Sequence, residues 1–186
     1  MANNKNQPRR KKSDWLGAAL AVLEAEGVGG VRVERLARDL NVAKSGFYWH
    51  FKNRQDLCDE LLTYWEHEFT GVVTSNVELA VLPPADRLLR AMQMVWEYDL
   101  GRFDLAFRAW AQGQPEILDR VNRIYEKRLS FARTIFRELG FTGAELEMRT
   151  YLWVGYHSWE RITFPEWSKE KAKRFIKRRV AFFIRP

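Results

Sequence analysis

Apolar residues recur at intervals of three and four along nearly the whole chain, and no stretch keeps up the strict alternation of a strand. This period predicts an all-α fold. A first helix is expected with Ser13 as N-cap and Asp14 in its positive first turn, carrying Leu16, Ala19, Leu20 and Leu23 on one face. Gly27 ends it. Short helices follow over about 33–40, with Leu36, Ala37 and Leu40 inward, and about 44–51. Asn41 suits the left-handed turn between them. Asn53 is expected to cap a long helix over 54–76, whose stripe is Leu57, Leu61, Trp65, Phe69 and Val72. Pro83-Pro84, Pro115, Gly140 and Pro165 punctuate further helices at about 85–100, 102–112, 116–138, 144–163 and 167–184.

Charge is unevenly placed along these helices. Residues 1–55 carry 11 basic and 5 acidic side chains, residues 56–165 carry 12 and 17, and residues 166–186 carry 8 and 2. A basic N-terminal quarter points to a polyanionic partner. Residues 1–12 lack periodicity and are expected to form a flexible basic tail, in which Arg9, Arg10, Lys11 and Lys12 suit a phosphate backbone. The basic run at 169–179 lies opposite Ala172, Phe175, Ile176, Val180 and Phe183, as a solvated face or as a partner for the acidic middle across a dimer. The longest apolar stretch, Leu16 to Leu23, is eight residues, well short of the roughly 20 a membrane span needs. The lone Cys58 excludes an intrachain disulfide. No secretory signal is visible, and a cytoplasmic location is expected.

Residues 32–51 (RVERLARDLNVAKSGFYWHF) place two short helices about a tight turn at Asn41-Val42, the helix-turn-helix arrangement. Leu36, Ala37, Leu40, Val42 and Phe47 are expected to fix the crossing angle. Lys44, Ser45 and Gly46 open the second helix, where small residues let the backbone approach base edges and Lys44 reaches guanine acceptors or phosphate. Tyr48, His50, Lys52 and Arg54 supply donors for phosphates. Tyr48, Trp49 and His50 are consecutive on a helix and cannot all face inward.

The run FYWHFKNRQDL at 47–57, after LARDLNVAKSG at 36–46, resembles the TetR family of transcriptional repressors, over about residues 13–70. The resemblance implies an N-terminal three-helix DNA-binding domain over 13–53, helix 54–76 as connector, and a helical ligand-binding and dimerisation domain over 77–186. It implies phosphate contacts from Tyr48 and His50, base reading by Lys44, Ser45 and Gly46, and sugar or thymine-methyl packing by Trp49. Two positions depart from the family pattern: Val33 stands where a capping threonine is usual, and Asn41 where glycine is usual. The implied activity is a homodimeric, ligand-responsive repressor on a palindromic operator in double-stranded DNA. The alternative is a constitutive DNA-binding or protein-interaction protein without an effector.

For the second half, Trp96, Phe103, Phe107, Trp110, Trp153, Tyr156 and Trp159 recur at helical spacing. Each suits core packing, and together they suggest a pocket for an apolar or aromatic effector, with Arg108, Glu97 or His157 as polar anchors. Leu152, Trp159, Ile176 and Phe183 are the expected dimer contacts on helices 144–163 and 167–184. His50, His67 and His157 lack a paired metal spacing, no catalytic motif appears, and neither a metal nor a cofactor nor an enzyme activity is expected. Asp99 and Asp104 read as a solvated helix junction.

Overall fold

The structure, a computed structural model, describes residues 10–163 and 168–185, except for the side chains of residues 159–163 and 169. Among the described residues there is no strand, and no helix is long and apolar enough to cross a membrane. The chain divides into two compact units, Met1–Tyr64 and Trp65–Pro186, and the division falls within the 54–76 segment.

The first unit holds α1 (Lys12–Glu26), α2 (Val33–Asp39), a 3₁₀ helix (Lys44–Trp49) and most of α3 (Arg54–Glu66). The start of α1 differs from expectation. Lys11, not Ser13, is the cap residue, and the Asp14 carboxylate accepts the Lys11 N–H at 2.8 Å. The second short helix is 3₁₀ rather than α. The turn before it is as expected: Asn41 has φ 54°, and the N–H groups of Asn41 and Val42 donate to the carbonyls of Arg38 and Ala37, which closes α2 in a Schellman motif. At the start of α2 no side chain caps the helix, the consequence of Val33 in place of threonine. Asn53 does cap α3, its side chain accepting the Asp56 N–H at 2.9 Å. The core is one apolar cluster: Trp15, Leu20, Leu23, Leu36, Phe47, Phe51, Leu57 and Leu61 are all buried. Phe47 sits at its centre, edge-on to Trp15 at 5.5 Å and 5.1 Å from Phe51.

The second unit opens where α3 runs into a π-helical turn (His67–Gly71) and a last α turn, α4 (Val72–Thr74). The expected single helix over 54–76 is therefore interrupted. The extra residue per turn rotates the inward face, so that Thr70 and Val73 are buried while Phe69 and Val72 are only half-buried. Then come α5 (Val77–Ala80), unforeseen from periodicity, and α6 (Pro84–Glu97), α7 (Asp104–Ala111), α8 (Pro115–Glu138), α9 (Gly143–Thr163) and α10 (Lys169–Phe183). Pro84 and Pro115 each stand in a first turn, where a missing N–H costs nothing. Helix α8 packs against α6, α7 and α9, and α10 packs against α6. Their core includes Leu88, Met92, Ile135, Phe136, Trp153 and Ile176. Phe175 does not join the apolar stripe of α10: it is exposed, while Ala172, Ile176, Val180 and Phe183 are buried.

Candidate nucleic-acid interface and a cavity in the second unit

The 3₁₀ helix carries the first set of candidate residues. Because Phe47 and Phe51 anchor its inner side, Tyr48 and Trp49 are driven outward, 62% and 71% exposed. Lys44, Ser45 and Lys52 are exposed beside them. A Cβ on Gly46 would meet only the Trp15 ring, at 3.7 Å, so packing does not require glycine there. The Lys44 ammonium donates to the Glu34 carboxylate at 2.8 Å, and that hydrogen bond holds Glu34 below the usual carboxylate range. Glu34 was not among the residues expected at this face. His50 Nε2–H donates to the Arg10 carbonyl at 2.9 Å, which ties the start of the described chain to the motif. Lys12 pairs with Glu60 at 2.8 Å. Arg9 lies outside the described residues. Arg54 is turned inward along the chain: Nε and Nη2 donate to the carbonyls of Val31 and Val28, both at 2.6 Å. It therefore fastens the 28–31 loop to the start of α3.

In the second unit a cavity of about 720 Å³ opens between α7, α8 and α9. Its lining includes Leu105, Ala109, Leu129, Val154 and Gly155, with Tyr125 and Tyr151 as its aromatic groups. Asp104, Arg108, Gln112 and Ser158 supply the polar atoms. None of the expected aromatic residues with a described side chain lines it. Phe107 stacks on Trp65 at 4.2 Å with planes 13° apart, Trp110 lies 5.8 Å from Phe107, and Phe103 is edge-on to Phe69. Trp153 is buried against His157, Trp96 packs against the core, and Tyr156 lies under the Arg179 guanidinium at 3.9 Å. The side chain of Trp159 is outside the description. Of the expected polar anchors, Arg108 lines the cavity, whereas Glu97 is exposed and pairs with Arg90 at 2.9 Å.

Asp104 departs most from expectation. It is 1% exposed, not solvated, and its Oδ2 accepts from Arg128 Nη1 at 2.6 Å and Ser158 Oγ at 2.8 Å. Arg128 also donates to Thr70 Oγ1 at 2.8 Å, in the π-helical turn. Burial works against the Arg128 charge, but Asp104 more than offsets it, and the guanidinium stays ionised. The expected dimer residues separate. Leu152 is exposed, as are Met148, Phe175 and Phe182, but Ile176 and Phe183 face their own core at 2% and 6% exposure. The period showed which residues share a helical face; it did not show which of two apolar faces the protomer itself covers.

Residues 16–61 match the family model of bacterial regulatory proteins, tetR family. The chain is 26% identical over 84 residues to the HTH-type transcriptional regulator AcrR of Shigella flexneri, covering 45% of this chain and 38% of that protein. It is 34% identical over 53 residues to the class E tetracycline repressor protein of Escherichia coli, covering 28% of this chain and 25% of that one. Those matches therefore span well under half of the relatives' lengths. A transcriptional regulator from Rhodococcus sp. Rha1 has a similar fold, with TM-score 0.71 at 17% identity over 94% of this chain and 96% of that one. So does FadR of Bacillus subtilis, solved in complex with stearoyl-CoA, with TM-score 0.68 at 16% identity over 94% and 98%.

Proposed function

From a chain that belongs to the TetR family of transcriptional regulators, we propose a homodimeric repressor that binds a palindromic operator and releases it when a small molecule fills the second-unit cavity. The observation that carries the DNA-binding part is the outward pair Tyr48 and Trp49 on a short helix locked from below by Phe47 and Phe51. Large aromatic side chains held in water beside Lys44 and Lys52 need a partner, and a DNA backbone offers phosphates for the hydroxyl and cations and sugars for the rings. Lys44, Ser45 and Gly46 are the base-reading positions. Tyr48, His50 and Lys52 bind phosphates, and Arg54 supports them by fixing the loop. The cavity supports the ligand response, and FadR of Bacillus subtilis is a precedent for a similar fold holding a ligand. A ligand releases DNA only if it binds the DNA-free state better. Selection of binding sites from random duplexes tests the reading: a recovered inverted repeat supports it, and failure to enrich any sequence overturns it.

A further inference from the structure

Two charged side chains line the cavity, and only one of them is neutralised. Asp104 and Arg108 stand one turn apart on α7. The Asp104 carboxylate is fully engaged on one oxygen by Arg128 and Ser158. Arg108 has no acidic partner among the described residues: Nη1 donates to the neutral Asn122 side chain at 2.8 Å, and the guanidinium lies 4.3 Å from the centre of the Tyr125 ring. Both contacts orient the guanidinium and leave its charge uncompensated. Around it the wall is apolar, from Leu105, Ala109, Leu129 and Val154. Beside it Tyr125 stays a neutral phenol, because burial and the nearby Asp104 raise its pKa.

We infer that the cavity takes an amphipathic monocarboxylate, its carboxylate paired with Arg108 and its apolar body lying between α8 and α9. This rests on the ligand-responsive reading and specifies the ligand's chemistry. An ionised carboxylate matches the planar fork of a guanidinium and supplies the one negative charge the wall lacks. An ammonium ligand would set a second cation beside Arg108. A phosphate monoester would bring close to two charges to one cation, with Asp104 one turn away. The volume of about 720 Å³ lies within the range of sites for drug-sized molecules.

The test uses the full chain with decanoate, decan-1-ol, decylamine and decyl phosphate, each below its micelle concentration, in isothermal titration calorimetry. Decanoate should bind one site per chain, about tenfold or more tighter than the other three. Arg108→Gln should bring decanoate down to the alcohol's level while alcohol binding persists, and Arg108→Lys should keep part of the preference. Without any variant, the preference for the acid should vanish as pH falls through the carboxylate range, near about pH 4. The inference is overturned if the alcohol, amine or phosphate binds as well as the acid, if Arg108→Gln leaves the preference intact, or if none of the four binds. DNA release is scored separately. Decanoate binding without release keeps this site and removes the ligand response. Equal release by acid and alcohol keeps the response and removes the role of Arg108.

Discussion

At the scale of single residues, Lys44 and Glu34 set what the reading head presents. Both are exposed, and their 2.8 Å contact is the kind of surface pair that water and salt weaken. A guanine or phosphate competing for the ammonium must displace Glu34, and the carboxylate left behind repels the backbone. Glu34→Gln should therefore tighten DNA binding severalfold for all sequences, measured by fluorescence anisotropy at fixed salt; weaker binding would mean that Glu34 positions Lys44. Lys44→Ala should alter sequence preference as well as affinity. If it weakens every duplex equally, Lys44 is a phosphate contact only. Much of this face was legible in the sequence, because three consecutive large residues on a helix cannot all be buried, whichever helix type forms. The inward role of Arg54 was not, since its acceptors are loop carbonyls more than twenty residues away. The cavity lining was not legible either. An excess of aromatic residues shows that a core can be filled, but not where it is left open, and the open wall belongs to Tyr125, Tyr151 and Arg108.

At the scale of elements, the buried group of Arg128, Asp104, Thr70 and Ser158 joins the π-helical turn to α7, α8 and α9. A π-helical turn is poor helix geometry, and here its Thr70 hydroxyl accepts a charged donor in compensation. The sequence showed an unbroken stripe through Trp65 and Phe69; the extra residue is invisible to a period count because its support comes from residues 34 and 58 positions away. Asp104→Ala would leave the Arg128 guanidinium, with only 14% of its side chain exposed, without its counter-charge. The expected loss is about 3–5 kcal/mol, read from the urea midpoint. Adding Arg128→Met should recover much of that loss, because the double variant buries no lone charge. Additive losses would show that the two residues act separately. The helix ends were better foreseen than the helix starts. Asn41 and Gly140 have φ of 54° and 94°, in the left-handed turns their residue types suggest, whereas the start of α1 depends on a reach from Asp14 back to Lys11.

At the scale of the whole molecule, one basic reading head covers too few base pairs for a specific site. The excess of six positive charges over residues 1–55 should give steep salt dependence: for about 6–10 phosphate contacts, affinity should fall about 10³–10⁵-fold between 50 and 200 mM salt. A flat profile would remove the phosphate contacts. Two heads need half-sites roughly 34–36 Å apart, held by a dimer. Met148 and Leu152 on α9, and Phe175 and Phe182 on α10, are large apolar side chains in water, with Leu152 55% and Phe182 69% exposed. A symmetric pairing of these surfaces would cover them. Ile176 and Phe183 cannot serve, since a charge there would break the protomer's own core. The test is therefore Leu152→Glu with Phe182→Glu. Neither change disturbs a buried contact, so helical content by circular dichroism should hold. Sedimentation should move from a dimer to a monomer of 22.0 kDa, and affinity for the full operator should fall to that for a single half-site. A stable dimer after both changes would put the interface on another face; a monomer that still binds the full operator tightly would show that dimerisation contributes nothing to recognition.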